Sequence, residues 1–218
     1  MDTNDIHQMI EILREEYLTW RTPAVTVVAG CGGSPFKVLI SCIISLRTRD
    51  EVTAVASERL FARADTPENM QFIPIEEIEQ LIYPAGFYRN KARQIHEICR
   101  CLIEDYGGIV PDEIDEMLKF KGVGRKTANL VVTLGFGKPG ICVDTHVHRI
   151  CNRWGYVATP NPDATGKALR IKLPRQYWPE INDLLVAFGQ NHCCPVSPRC
   201  TTCRIDKFCS ANGVRLFR

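Results

Sequence analysis

The chain of 218 residues is long enough to bury a substantial core, as one large domain or as two domains in close association. Its 45% hydrophobic and 24% charged residues are typical of a globular protein, and no apolar stretch approaches the length of a membrane span. A formal net charge of +2 permits a nucleic-acid partner without requiring one. The acidic, helix-periodic N-terminus does not resemble a signal peptide, so we expect a cytoplasmic protein, nucleoid-associated if the source is prokaryotic.

Helical periodicity dominates the chain, and three apolar stripes predict amphipathic helices. The stripes are Ile6, Met9, Ile10, Leu13 and Tyr17; Ala92, Ile95, Cys99, Leu102 and Ile103; and Tyr177, Ile181, Leu184, Leu185 and Phe188. Capping patterns predict helix starts at Ser34-Pro35, Asp50, Thr66-Pro67, Pro111-Asp112-Glu113, Asp144 and Asn161-Pro162.

The segment 36–44 is rich enough in β-branched residues to form a strand. Its Ser-Pro start and the absence of a partner strand favour a buried helix instead. The sequence therefore predicts an all-α fold of about ten helices. Because no linker marks a boundary, we expect two helical lobes that share a cleft.

A glycine-containing turn lies between two predicted helices. Gly122, Val123 and Gly124 follow a helix that ends near Phe120. Two glycines one residue apart allow a tight turn and bring bare backbone close to a partner. The start of the next helix is a site for an anion such as a DNA phosphate, although a plain connection between helices has the same pattern. Lys119, Lys121 and Arg125 flank the turn.

Lys126 begins this second helix. The positive end of the helix dipole disfavours an ammonium group there, and a lysine attacks carbon as the free amine. Judged from the residue alone, a surface lysine without chemistry is the commoner case. Lys126 is therefore a candidate nucleophile that needs support from its surroundings.

Asp144 precedes another predicted helix, which extends to about Trp154. Its carboxylate is expected to cap the first N–H groups of that helix. The same carboxylate is also a candidate to stabilise positive charge on a substrate, and a capping residue is held rigidly enough for both roles. We expect His146 and His148 to be packing or surface residues.

Five of the eleven cysteines fall within residues 193–209. With an odd count and no secretory signal, a disulfide framework is not expected. Cys193, Cys200, Cys203 and Cys209 supply four thiolates from one short loop. Zinc is the alternative ligand, but structural zinc sites usually pair two close-spaced motifs and only one Cys-x-x-Cys is present, so a four-iron cluster fits better.

Three motifs carry a family resemblance: Gly-Val-Gly-Arg-Lys-Thr-Ala at 122–128, Val-Asp-Thr-His at 143–146 and the cysteine spacing near the C-terminus. Together they resemble the endonuclease III family of helix-hairpin-helix DNA glycosylases and AP lyases, and the match extends from Ser34 to Cys209. The resemblance implies a six-helix domain with the hairpin at 22–135. It also implies an iron–sulfur domain formed by 1–21 and 136–218, with the active site in the cleft between the two.

The resemblance also implies an activity and its site. The implied protein is a bifunctional glycosylase and AP lyase of base excision repair that acts as a monomer. It removes damaged bases, usually oxidised pyrimidines, from double-stranded DNA and cleaves abasic sites by β-elimination. Lys126 and Asp144 would be catalytic, and a 4Fe–4S cluster would be bound by Cys193, Cys200, Cys203 and Cys209, leaving Cys194 unliganded. The expected DNA contacts are Gly122, Val123, Gly124, Arg125, Lys121, Arg47, Phe87 and Lys91.

Three positions depart from the family pattern. Arg47 stands where glutamine is usual, Phe87 where an aliphatic wedge is common, and Lys121 where proline usually precedes Gly122. The first two bear on opposite-base preference and lesion range, since such residues occupy the gap left by an extruded nucleotide.

Two other functions are compatible with part of this sequence. A monofunctional mismatch or adenine-type glycosylase places a residue other than lysine at the catalytic position. A non-catalytic, redox-sensing DNA-binding protein would not need both Lys126 and Asp144.

Overall fold

A computed structural model describes residues 3–20 and 22–218, and within these ranges the chain forms twelve α-helices, three short 3-10 turns and no strand. The helices are α1 (Thr3–Tyr17), α2 (Ala24–Gly30), α3 (Pro35–Ser45), α4 (Asp50–Arg63), α5 (Pro67–Gln71), α6 (Ile75–Ile82), α7 (Tyr88–Tyr106), α8 (Ile114–Met117), α9 (Arg125–Phe136), α10 (Thr145–Trp154), α11 (Pro162–Lys172) and α12 (Ile181–Asn191). The all-α prediction is confirmed, including a helix over the segment 36–44.

Local capping chemistry explains why several helices begin where they do. Ser34, Thr66 and Asn161 each accept a hydrogen bond from a backbone N–H three residues along, at 3.4, 3.2 and 2.9 Å, and each is followed by proline at the first helical position. Proline has no N–H to leave unpaired at that position and its fixed φ suits a helix. These predicted starts are confirmed.

The chain divides into two compact units. One comprises Ala24–Gly140, and the other combines Met1–Pro23 with Ile141–Arg218. The sequence placed the corresponding boundaries at 22 and 135. Two chain segments meet in the second unit, because the buried stripe of α1 packs into the same hydrophobic core as α10 and α12.

In the unit Ala24–Gly140 the core is built around α3, which is buried along most of its length. Gly135 of α9 lies against α3 so closely that a Cβ there would meet the Cα of Pro35 at 3.0 Å. The expected stripe of α7 is buried in this core as well, apart from Ile103, which is partly exposed. This packing fixes the first turn of α9, which carries Lys126.

In the other unit, the core is dominated by large side chains from α10 and α12. Trp154 and Phe188 are each 1% exposed, with ring centroids 6.4 Å apart. Full burial of a residue such as Phe188 stabilises the fold by about 2 kcal/mol. The core therefore fixes α10 and the start of the cysteine loop that follows α12.

Within residues 3–20 and 22–218, no helix combines the length and the apolar character needed to cross a bilayer.

Candidate functional site

The two glycines of the turn before α9 have different structural roles. Gly122 has a φ of +78°, and a Cβ there would collide with the side-chain amide of Gln94, whose Nε2 donates to the Lys121 carbonyl at 2.9 Å. Gly124 has an ordinary φ of −93°, and a Cβ there would meet no atom of the described residues within 4 Å. The fold itself thus requires glycine at 122, whereas glycine at 124 leaves bare backbone open to a partner.

Val123 does not occupy the position expected of a DNA contact. Its side chain is 5% exposed within the core of the unit, and its N–H donates to the Phe120 carbonyl at 3.0 Å. A buried valine between two exposed glycines anchors the turn to the core. Burial therefore excludes a contact between the Val123 side chain and DNA, whereas a contact through the backbone of this turn stays a prediction.

Lys126 is the second residue of α9, and its side chain is exposed. The neighbouring cations Lys121 and Arg125 are exposed too, whereas Thr127 and Ala128 are buried and hold the helix in place. Three cations beside the positive end of a helix dipole form a surface suited to phosphate. The sequence-predicted hairpin residues other than Val123 are thus brought together in one exposed turn.

Two alanine substitutions separate these glycine roles. Gly122→Ala is expected to destabilise the protein by about 2 kcal/mol, because alanine is strained at positive φ and displaces Gln94. For a chain of this size that lowers the Tm by roughly 4–8 °C.

Gly124→Ala is the matched control for stability, since its φ suits alanine and its Cβ position is open. It should change the free energy of unfolding by less than about 1 kcal/mol but weaken duplex binding about tenfold, through a methyl group on the phosphate-facing backbone. Thermal unfolding measures the change in stability, and fluorescence anisotropy measures the affinity for the duplex. Equal affinity of Gly124→Ala and the parent chain would contradict a role for this backbone in binding.

Asp144 is the N-cap of α10, as predicted. Its Oδ1 accepts hydrogen bonds from the N–H groups of His146 and Val147 at 2.8 and 2.9 Å, and the residue is partly exposed. Two charge-assisted hydrogen bonds fix the orientation of the carboxylate. His146 lies next to Arg149 on the same helix, and His148 contacts Thr165, so both histidines have packing partners.

Arg47 and Phe87 are both exposed and form a contact pair. The Arg47 guanidinium lies over the Phe87 ring, with Cζ 5.7 Å from the centroid, and Phe87 is 61% exposed. Both residues have left-handed backbone, with φ of 53° and 58°. Such a conformation costs a non-glycine residue about 1–3 kcal/mol and persists where the surrounding structure enforces it.

Lys91, another expected DNA contact, is instead buried. It is 4% exposed, and its Nζ donates to the carbonyls of Ile44 and Leu46, each at 2.6 Å, and to Thr48 Oγ1 at 2.7 Å. An ammonium with three protein acceptors inside the core cannot reach a DNA phosphate. The prediction that Lys91 contacts DNA is therefore wrong. Its ammonium instead satisfies carbonyl groups at the C-terminal end of α3, where the helix dipole favours a positive charge.

The cysteine loop follows α12 and brings four thiols to one pocket. Cys193, Cys200, Cys203 and Cys209 all line this mostly apolar pocket, which Trp154 and Phe188 close on the core side; Cys194 is not among the lining residues. In the part of the chain that the structure describes, no three His, Cys, Asp or Glu side chains are grouped to hold one metal ion. A four-iron cluster takes one thiolate at each iron, so its ligands stand farther apart than those of a single ion.

N–H groups donate hydrogen bonds to sulfur atoms of this loop. Arg153 Nη1 donates to Cys193 Sγ at 3.4 Å, and the Ala211 N–H donates to Cys209 Sγ at 3.3 Å. Arg153 also binds the carbonyls of Cys194 and Pro195, each at 2.7 Å, and so fixes the start of the loop. Donors to sulfur favour the thiolate that binds metal.

Burial opposes the thiolate at the same loop. It raises the pKa of Cys203 to about 12, and it raises the pKa of Cys209 as well. Without compensating positive charge, these thiols are protonated at neutral pH. The loop is thus suited to sulfur ligands whose negative charge is balanced by metal.

Sequence reasoning missed three residues that shape these sites: Thr48, Gln94 and Arg153. Each acts through a hydrogen bond to a segment at least 27 residues away in the chain, so no local pattern marks it. Arg153 has the only local signal, since it lies one turn after Arg149 on α10 and both donate to the loop.

Comparison with known proteins identifies the family of this chain. The HhH-GPD superfamily of base excision DNA repair proteins matches residues 40–175, which is more than half of the chain. Endonuclease III of Thermotoga maritima is 49% identical over 175 residues, covering 80% of this chain and 82% of that protein.

Two solved structures have folds similar to that of this chain. A trapped covalent intermediate of endonuclease III with DNA, in an estranged-adenine complex, has 40% identity and a TM-score of 0.76 over 81% of this chain and 83% of that one. A non-covalent endonuclease III–DNA complex has 34% identity and a TM-score of 0.84 over 96% of this chain and 95% of that one. The chain therefore belongs to the HhH-GPD superfamily of base excision DNA repair proteins and, within it, to the endonuclease III family.

Proposed function

We propose that this chain is a bifunctional DNA glycosylase and AP lyase of base excision repair with Lys126 as its nucleophile. The observation that carries the proposal is the exposed Lys126 two residues after the Gly122–Gly124 turn, in a chain 40% identical to an endonuclease III caught covalently on DNA. The turn binds a phosphate beside the target nucleotide, and Lys126 stands one residue beyond that binding surface.

The chemistry assigned to Lys126 proceeds in two stages. Its free amine attacks C1′ of the deoxyribose, the glycosidic bond breaks, and the damaged base leaves with the electron pair and takes up a proton. After the amine has lost its protons and the sugar ring has opened, an imine joins Nζ to C1′. Loss of a C2′ proton then breaks the bond between C3′ and its phosphate, and water releases Lys126 by hydrolysing the imine.

Asp144 is assigned to charge stabilisation and proton transfer. Its carboxylate, fixed by two backbone N–H groups, carries the negative charge that favours an oxocarbenium-like sugar. The substrate class in this proposal is oxidised pyrimidine in double-stranded DNA, and the protein acts as a monomer.

A 4Fe–4S cluster belongs to the same proposal. Cys193, Cys200, Cys203 and Cys209 would hold it, since all four line one pocket and two of the sulfurs accept hydrogen bonds. Bound there, the cluster supplies cross-links that shape the loop carrying Arg199, Arg204 and Lys207. Arg153 holds the first ligand and its neighbours, and these basic residues offer the loop a contact with phosphate.

The experiment that tests the function is borohydride trapping with a duplex that contains one abasic site. Borohydride reduces the imine to a stable amine, so the purified protein should migrate as a covalent protein–DNA band on a denaturing gel. Absence of this band under conditions where the protein binds the duplex would refute the lyase activity.

For Asp144, the substitution Asp144→Asn should slow base release by about 100-fold while the Tm and DNA affinity stay nearly unchanged. Asparagine caps a helix as well as aspartate does but carries no charge. Single-turnover kinetics on a duplex with an oxidised pyrimidine measures the effect. Asn161→Asp, at the N-cap of α11, is the matched control and should release base at the parent rate; parental kinetics for Asp144→Asn would contradict the assigned role.

A further inference from the structure

The buried ammonium of Lys91 ties two loops of the unit Ala24–Gly140 together. One loop follows α3 and carries Arg47 and Thr48; the other precedes α7 and carries Gly86 and Phe87. Lys91 donates to two carbonyls at the end of α3 and to the Thr48 hydroxyl, so each of its three N–H groups has an acceptor. Burial lowers the pKa of Lys91 to about 8, which leaves the ammonium form dominant at neutral pH.

The Thr48 hydroxyl completes the link between the loops. It accepts from Lys91 at 2.7 Å and from the Gly86 N–H at 3.0 Å, and it donates to the Leu46 carbonyl at 3.3 Å. Both acceptor positions and the single donor are thus used. Gly86 lies so close that a Cβ there would collide with the Arg47 carbonyl.

Arg47 and Phe87 stand at the exposed ends of these two loops. Each has left-handed backbone directly beside a residue of the link, Thr48 after Arg47 and Gly86 before Phe87. Their side chains stack on each other rather than on the core. The link therefore holds Arg47 and Phe87 in a backbone conformation that these residue types rarely adopt. It also fixes the distance between their two side chains.

We propose that Lys91 is a positioning residue: together with Thr48 it holds Arg47 and Phe87 as one preassembled wedge that enters the duplex when the target nucleotide leaves the stack. This rests on the proposed function, since only an enzyme that extrudes a nucleotide needs the wedge. A guanidinium and an aromatic ring stack on exposed bases better when their orientation is fixed beforehand. Lys91 itself touches no DNA.

The test is a mutant cycle in which Lys91 is replaced with and without the wedge residues. The measured quantity is the unstacking of a base in the bound duplex. The duplex carries an uncleavable abasic analogue with the fluorescent base 2-aminopurine opposite it, so fluorescence reports wedge insertion without any chemistry at Lys126. Lys91→Met keeps the length and apolar stem of the side chain but removes the ammonium. The apparent affinity for the duplex, measured from the 2-aminopurine fluorescence, should fall about tenfold.

The proposal requires that Lys91→Met has no effect on this affinity when Arg47 and Phe87 are both absent. In an Arg47→Ala/Phe87→Ala background, adding Lys91→Met should change the signal by less than about twofold, because coupled residues are non-additive. Equal effects in both backgrounds would show that Lys91 only supports the fold, and would overturn the proposal. Lys37→Met is the matched control, since Lys37 is a lysine of α3 itself whose ammonium pairs with Asp65 at 3.1 Å near the surface, and it should behave as the parent chain.

Thr48→Val provides a second route if Lys91→Met fails to fold. It keeps the shape and the buried ammonium but removes the hydroxyl that joins Lys91 to Gly86. We expect a smaller loss of signal in the same direction, again only when Arg47 and Phe87 are present; parental behaviour of Thr48→Val would overturn the proposal. Borohydride trapping by the parent chain is measured separately. An additive cycle with intact trapping refutes only the positioning role of Lys91, whereas absent trapping refutes the lyase activity.

Discussion

Replacing Lys126 with alanine is expected to abolish the borohydride-trapped adduct and to slow base release by at least about 10³-fold. A methyl group offers no nucleophile, so neither the imine nor β-elimination can form through this position. Lys126 is exposed at the start of α9, and removal of an exposed side chain usually changes stability by less than about 0.5 kcal/mol. Gel analysis of trapping and single-turnover kinetics measure the loss, with the Tm as the check on folding.

Two control variants separate chemistry from charge. Lys126→Arg keeps the positive charge, so duplex binding should persist, but a guanidinium remains protonated and cannot attack carbon. Lys121→Ala removes the neighbouring exposed cation; trapping should remain, while affinity falls and the slope of log K against log salt decreases by about one. An adduct with Lys126→Ala or Lys126→Arg would assign the nucleophile to another residue.

Replacing Cys203 with serine is expected to cause the second large loss, that of the proposed 4Fe–4S cluster. Iron and sulfide should fall from about four of each per chain to near zero, and the visible absorbance should disappear. The segment 192–218 contains only two short 3-10 turns, so it depends on cross-links for its shape. We therefore expect a lower Tm and duplex binding weakened by about tenfold or more, because the basic residues of the loop lose their fixed positions.

Cys194→Ser is the matched control, since Cys194 adjoins the first proposed ligand but does not line the pocket. It should retain iron, absorbance and duplex affinity. Equal iron loss in the two variants would overturn the ligand assignment, and a parent chain that contains one zinc and no iron would overturn the cluster itself. Metal analysis and absorbance spectroscopy on protein purified without oxygen decide between these outcomes.

Much of the fold could be predicted because its signals are local. Ser34, Thr66, Asp144 and Asn161 cap helices through hydrogen bonds to N–H groups within three residues, so each pattern is complete in a short stretch of sequence. The apolar stripes of α1, α7 and α12 are equally local, since one helix period repeats them, and most of their residues are buried. Segment 36–44 was ambiguous by composition, and its Ser-Pro start indicated the helix that forms.

The candidate site could be predicted where spacing carries the chemistry. The Gly122–Gly124 turn, Lys126 at the start of α9 and four cysteines at one pocket follow from short motifs. Even there, the motif predicted one shared role for the two glycines, whereas only Gly122 has a positive φ. Gln94 of α7 also packs against Gly122, whereas the Cβ position of Gly124 is open.

By itself the sequence determined the all-α fold, the helix starts and the residues able to do the chemistry, because those properties depend on neighbours along the chain. Only the tertiary structure decided the roles of Lys91 and Val123, which look like surface residues in a basic or glycine-rich stretch but are buried. Burial depends on what stands opposite a side chain, and for Lys91 that is the carbonyl end of α3, more than forty residues earlier. The contact between Arg47 and Phe87 was decided in the same way, since it exists only because packing brings two separate loops together.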